Sequence, residues 1–128
     1  MADYYTFGVV PVATMAVLPA ARKMPFDPFK DFTPVSKYFE NTLIFAIHPS
    51  IPATTMQEFV AYAKANPGKL NYATGNTTGI VSFAQMNALT GMQMTHVPYK
   101  GEPQGITDLV GGRVHLMWAT PTTGLSHV

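Results

Sequence analysis

Three hydroxyls, one amide and two glycines are crowded into Thr74-Gly75-Asn76-Thr77-Thr78-Gly79, between a short apolar run and a helical pattern. In a turn that opens a helix, such residues offer neutral N–H and O–H donors beside the positive end of the helix dipole. The chemistry that suits them is the holding of a carboxylate. The same residues would serve a plain β-to-α turn, where Gly, Asn and Thr supply the tight backbone and the N-cap. Two features favour a binding loop. Thr74, Thr77 and Thr78 beside Asn76 exceed what capping one helix requires, and the loop follows a strand at whose carboxyl end open α/β sheets bind ligands. The loop is not a nucleotide cradle, because the chain has no Gly-Lys-Ser/Thr and no Gly-x-Gly-x-x-Gly. Tyr99, in Pro98-Tyr99-Lys100-Gly101, has two readings: part of a turn with an exposed lysine, or a phenol beside the same cleft.

The other reactive side chains form no catalytic pattern. Asp3, Asp27, Asp31, Glu40, Glu58, Glu102 and Asp108 make no recognisable acid/base pair, and no Gly-x-Ser-x-Gly elbow surrounds Ser36, Ser50, Ser82 or Ser126. His48, His96, His115 and His127 are too widely spaced for a ligand pair, so each is expected to end or line a strand. Without cysteine there are no disulfides and no thiolate metal sites. The expectation is therefore a binding module that is not an enzyme and has no metal or cofactor.

Composition narrows the partners. Charged residues make up 12% of the 128 residues against 47% hydrophobic, and the net charge is +1. That is about half the usual charged fraction, which points to much buried surface or to an apolar face that is normally covered. With no basic cluster beyond Arg22-Lys23, a nucleic-acid partner is not expected. Phe7 to Ala21 is apolar but short, carries Pro11 and Pro19, and follows Asp3 rather than a cationic stretch. It therefore reads as core strand and turn instead of a membrane span or signal peptide.

The elements that must position the loop follow from the pattern. Tyr4 to Val10 reads as a buried strand stopped by Pro11, and Val12 to Ala21 as a short helix or irregular turn. Pro25 to Pro34 is a proline-punctuated connector with aromatic anchors, suited to a hinge. Val35 to Glu40 and Thr42 to His48 read as strands, the second apolar almost throughout as a strand covered on both faces should be. Thr55-x-x-Glu58 is a capping box opening a helix through Met56, Phe59, Val60 and Ala63, which Asn66-Pro67-Gly68 ends. Leu70 to Ala73 is a strand, Ile80 to Leu89 a helix stopped by Gly91, and Met92 to Val97 a strand. Pro103 opens a helix through Ile106, Leu109 and Val110, ended by Gly111-Gly112. Val114 to Ala119 is the last strand, and Pro121 to Val128 shows no clear element. From residue 42 the order is β-α-β-α-β-α-β, the mark of an α/β fold with a mostly parallel sheet flanked by helices.

Several segments together resemble the Bug/TctC-type periplasmic solute-binding receptors of the tripartite tricarboxylate transporter family. They are Asp3-x-Tyr5-Thr6, Pro25 to Val35, Ala65-Asn-Pro-Gly-Lys69, Tyr72-Ala-Thr-Gly-Asn76, His96-Val-Pro-Tyr-Lys-Gly101 and Asp108-Leu-Val-Gly-Gly-Arg-Val114. They span nearly the whole chain and match the middle portion of such a receptor. The resemblance implies one lobe of a type II periplasmic-binding-protein (Venus-flytrap) fold that clamps a small organic carboxylate and serves membrane transporter subunits from the periplasm. It implies a first-lobe remnant at 1–24, a hinge at 25–34 and a second-lobe domain at 35–128. The second-lobe clamping loop corresponds to Thr74, Gly75, Asn76, Thr77 and Thr78, with Tyr99 nearby. Thr14 corresponds to a threonine in the family's loop after the Tyr-Thr strand. The family's first-lobe glycine-rich loop and C-terminal third have no counterpart here, and Tyr4 stands where the family has glycine. The implied apolar surface facing the absent lobe predicts a homo-oligomer; the alternative to a ligand-binding fragment is a self-associating structural module without ligand.

Overall fold

The computed structural model describes residues 6–11, 13–17, 19, 23–40 and 42–125. The chain divides into two compact units, Met1–Glu40 and Asn41–Val128. Among the described residues no helix is long and apolar enough to cross a membrane.

In the first unit, Ala13–Val17 forms one turn of π-type helix. Residues 6–10, expected as the end of a strand from Tyr4, run without strand pairing, and Tyr4 and Tyr5 lie outside the described residues. The connector is organised by a local turn. The Asp27 carboxylate accepts from the N–H of Phe29 at 2.9 Å, the Asp31 carboxylate accepts from the N–H of Asp27 at 2.7 Å, and Phe26 meets Phe32 edge to face at 5.4 Å. Val35 to Glu40 corrects a strand expectation: it is exposed throughout and joins no sheet. Its Val, Tyr and Phe have strand propensity, but an unpaired strand leaves its backbone groups to water and gains no ladder.

The second unit carries the candidate site. Its elements are β1 (Ile44–Ile47), α1 (Met56–Ala65), β2 (Asn71–Thr74), α2 (Thr77–Thr90), β3 (Thr95–Pro98), α3 (Glu102–Val110), β4 (Leu116–Ala119) and the short α4 (Pro121–Gly124). The order is the one read from the sequence; β1, β2 and β4 differ from the expected Thr42–His48, Leu70–Ala73 and Val114–Ala119 at their ends, and three further differences stand out. Helix α2 starts three residues before Ile80, because Asn76 caps it there. Residues 92–94 stay outside β3. The tail expected to lack structure forms α4, with Pro121 in its first turn, where a missing N–H costs nothing; His127 lies outside the described residues.

The sheet has the order β1-β4-β2-β3. Strand β2 runs parallel to β3, pairing Tyr72 with His96, and parallel to β4, pairing Tyr72 with Leu116; β1 runs antiparallel to β4, pairing Ile44 with Ala119. The sheet is thus mixed, parallel in its β4-β2-β3 part. From β2 the chain steps to one side through α2 into β3; from β3 it steps back across β2 through α3 into β4. Right-handed crossovers in opposite directions place their helices on opposite faces, and the core divides accordingly. On one face, Phe59 and Ala63 of α1 and Phe83 of α2 pack with Tyr72 and Leu116. On the other, Ile106 and Leu109 of α3 pack with Ala73, Met117 and Ala119. Successive residues of β2 and β4 face opposite layers, as the period of two demands. Full burial of each such Phe or Leu stabilises the unit by about 1.5–3 kcal/mol.

Since α2 and α3 leave neighbouring strands toward opposite faces, the carboxyl ends of β2 and β3 form the topological switch point of the sheet. That is the place where open α/β sheets take ligands.

Candidate functional site

Two loops lie at this switch point: Gly75-Asn76 after β2, and Tyr99-Lys100-Gly101 after β3. Asn76 has extended backbone and its Oδ1 accepts from the N–H of Gly79 at 2.7 Å, which caps α2. Gly75 does not have positive φ, the freedom expected of glycine in such a turn. It is there for closeness instead: a Cβ would lie 2.5 Å from the carbonyl carbon of Gly101 and 2.8 Å from Cα of Glu102. The β2–α2 turn therefore rests backbone to backbone on the start of α3.

The anticipated residues divide by role. Thr74 is 2% exposed, and its hydroxyl is paired with His96 Nε2 at 2.6 Å. The His96 ring in turn stacks on Tyr72 at 5.1 Å. Thr74 thus ties β2 to the edge strand β3 and does not offer a free hydroxyl. Thr77 is half-buried and Thr78 exposed. Among the described residues their hydroxyls have no hydrogen-bond partner, and their N–H groups, in the first turn of α2, have no carbonyl behind them to bond. Tyr99 points elsewhere. Its hydroxyl donates to Asp108 Oδ2 at 2.7 Å, and Asp108 also accepts from Arg113 at 2.7 Å. Asp108 lies six residues along α3 from Glu102, about 9 Å down the helix axis, so the phenol turns away from the Thr77–Thr78 end. Burial, then the bond to Asp108 and its charge, push the Tyr99 hydroxyl up; the Tyr99 and Arg113 donors hold the Asp108 carboxyl below its ordinary value. Thr14 falls in the first unit's π-type turn, and its side chain lies outside the described residues.

Glu102, which shows no motif in the sequence, is the centre of the polar network. Its Oε1 accepts from Asn76 Nδ2 at 2.5 Å. Its Oε2 accepts from the Thr120 N–H at 2.9 Å, the Thr120 hydroxyl at 2.7 Å and the Thr123 hydroxyl at 2.7 Å. Three segments at the carboxyl edge of the sheet, after β2, β3 and β4, thus meet on one carboxylate. Burial pushes the Glu102 carboxyl up, but the donors from Thr120, Thr123 and Asn76 together outweigh it and hold it below the ordinary glutamate value. The only sequence signal was an acidic residue in a helix's first turn, which the dipole favours anywhere.

Among the described residues, the edge presents two unpaired N–H groups and two unpaired hydroxyls at a helix N-terminus, backed by the network from Asn76 through Glu102 to Thr120 and Thr123. Among the described residues no three His, Cys, Asp or Glu side chains gather as a metal site would require. The arrangement can hold an anion through neutral donors.

Residues 1–128 match the family described as "Tripartite tricarboxylate transporter family receptor" (TctC). A Cupriavidus necator relative, "UPF0065 protein in gbd 5'region", is 35% identical over 93% of this chain and 37% of its own length. The solved "Structure of a periplasmic transporter" is 34% identical, with a TM-score of 0.75 over 89% of this chain and 39% of that one. The structure "R. palustris Rpa4515 with adipate" is 35% identical, with a TM-score of 0.67 over 77% of this chain and 34% of that one. The chain therefore spans between 29% and 39% of the length of the relatives it matches.

Proposed function

Because the chain belongs to the tripartite tricarboxylate transporter receptor family, we propose that it binds a small organic carboxylate without catalysis, as the solute-recognition part of such a transporter. The reading places it in the periplasm, serving membrane transporter subunits. One ligand carboxylate sits at the first turn of α2, on the N–H groups of Thr77 and Thr78 and on their hydroxyls, with Gly75 and Asn76 shaping the turn. Thr74 and Tyr99 support the jaw from behind. Thr14 matches, by family resemblance, a threonine in the loop after the family's Tyr-Thr strand.

The observation that carries the proposal is the contrast at the carboxyl edge of the sheet. Thr74, Asn76, Glu102, Thr120 and Thr123 are all hydrogen-bonded, whereas among the described residues Thr77 and Thr78 keep unpaired donors. The adipate complex of a 35% identical neighbour supports a dicarboxylate as the ligand class. Charge-assisted hydrogen bonds contribute about 1.5–3 kcal/mol each and the helix dipole about 0.3–1 kcal/mol, against several kcal/mol of lost ligand freedom. A net near 4 kcal/mol corresponds to a dissociation constant of about 1 mM, the affinity expected of a single jaw. Calorimetry of the folded chain against adipate and a panel of di- and tricarboxylates tests the reading. Millimolar or tighter binding of at least one acid supports it, and no heat with any acid refutes it.

A second reading, self-association without ligand, draws on the far side of α2. There Ser82, Gln85, Met86, Leu89, Thr90 and Trp118 line an open groove of about 330 Å³, in which Leu89 is 79% exposed. Light scattering that gives a stable dimer, unchanged by organic acids, would favour it.

A further inference from the structure

We propose that Glu102 is a positioning residue for the α2 jaw: its carboxylate fixes the orientation of the Asn76 amide and thereby the cap and first turn of α2. Its bearing on a ligand rests on the carboxylate reading above; its bearing on the loop does not.

An ionised carboxylate has no hydrogen to give, so each neighbour of Glu102 must present a donor. On one side these are the Thr120 N–H and the hydroxyls of Thr120 and Thr123. On the other side it is the Asn76 amide. With its NH₂ committed to Glu102, Asn76 turns its oxygen toward α2, where it accepts from the N–H of Gly79. The amide cannot be reversed without facing α2 with donors only. The orientation of the α2 cap is therefore dictated by a residue on α3 that does not touch α2's backbone donors itself. The contact of Gly75 with Gly101 and Glu102 leaves the two loops no room to slide. Glu102 thus acts on the N–H groups of Thr77 and Thr78 through Asn76, and it joins their position to the Thr120–Thr123 segment.

Amide hydrogen exchange by NMR on the whole chain, without ligand, tests this. In Glu102→Gln the introduced side chain can satisfy only one side. With its oxygen toward Thr120 and Thr123, its NH₂ opposes that of Asn76, whose amide must then flip away from Gly79; reversed, its NH₂ opposes the Thr120 N–H. Glu102→Gln is expected to speed exchange at Gly79 or Thr120 about tenfold. Adding Asn76→Asp restores complementarity. The new carboxylate can accept both from the Gly79 N–H and from the new side-chain amide on α3, whose oxygen is then left to accept from the two threonines. The double variant is expected to return both amides to within about twofold of the wild type. Unchanged exchange in Glu102→Gln, or no recovery in the double variant, overturns the proposal. Adipate provides a second arm with a discriminating sign. Removing a negative charge beside an anion site would by itself tighten adipate binding, whereas loosening the jaw weakens it, here by about threefold or more. Tighter adipate binding in Glu102→Gln would also overturn the positioning role. A wild-type chain that binds neither adipate nor any other acid of the panel would refute the carboxylate reading, and the exchange rates would still decide the role of Glu102.

Discussion

Gly75 and Gly79 stand four residues apart in one turn, and alanine is predicted to act at them with opposite signs. At Gly75, a methyl group would sit 2.5 Å from the carbonyl carbon of Gly101 and 2.8 Å from Cα of Glu102. These are backbone atoms and cannot rotate aside. Overpacking of this kind costs about 1–3 kcal/mol. Relief requires parting the β2–α2 turn from α3, which stretches the Asn76–Glu102 bond, a charge-assisted contact worth about 1.5–3 kcal/mol. The expected loss for Gly75→Ala is about 3 kcal/mol, or more than about 10 °C in Tm for a unit of this size. At Gly79, in the first turn of α2, a methyl group would meet Asn76 Oδ1 at 3.4 Å and Thr74 at 3.9 Å. It fits, and helix propensity favours alanine by up to about 1 kcal/mol. Gly79→Ala should therefore match or exceed wild-type stability. Urea unfolding followed by tryptophan fluorescence measures both, because Trp118 is the single tryptophan and packs against Phe45 and Phe83. A Gly75→Ala variant as stable as the wild type, or a Gly79→Ala variant that falls as far, would refute the close packing of the turn on α3.

Other consequences follow from the same contacts. Glu102 has its folded-state carboxyl held below the ordinary value, so its contribution is complete above the unfolded glutamate value of about 4.3 and is lost as pH falls through the lower folded value. The stability gap between wild type and Glu102→Gln should thus be fully open near neutrality and shrink only as pH falls below the unfolded value of about 4.3 and through the lower folded value; a gap that widens on acidification would contradict the network. Tyr99→Phe removes the hydrogen bond to Asp108 and should cost about 1 kcal/mol in urea unfolding. Gly105→Ala places a methyl 2.8 Å from Met117 Sδ and 3.4 Å from Ala73 Cβ. Because Met117 can shift, the expected loss is about 1–2 kcal/mol, smaller than at Gly75, and thermal unfolding would show the ranking.

What could be read from the chain was local or periodic. The Thr55–Glu58 capping box is present, with the Glu58 N–H donating to Thr55 at 3.2 Å and the Glu58 carboxylate accepting from the Thr55 N–H at 3.1 Å. Gly91 ends α2 in the left-handed conformation, φ 73°, and the alternation of strands and helices pointed to the layered α/β unit. What could not be read depended on partners distant in sequence. Val35 to Glu40 has strand-like residues but no neighbour to pair with. The antiparallel direction of β1 is set by β4, far along the chain. Asn76 was legible as a loop residue, but its partner Glu102 is 26 positions away, and Glu102 reaches a further 18 and 21 to Thr120 and Thr123. Thr74 and Tyr99 were singled out for their hydroxyls, whose partners, His96 and Asp108, are fixed only by strand register and helix packing.

The central claim is that a carboxylate settles at the first turn of α2. Titration of the isotope-labelled chain with adipate, followed through backbone amide shifts, tests that directly. Saturable changes are predicted to centre on the amides from Gly75 to Gly79, strongest at Thr77 and Thr78, with smaller changes carried to Thr120 through Glu102. Saturable shifts centred on another part of the chain, or none with adipate or any other di- or tricarboxylate up to tens of millimolar, well above the ~1 mM expected of a single jaw, would contradict it.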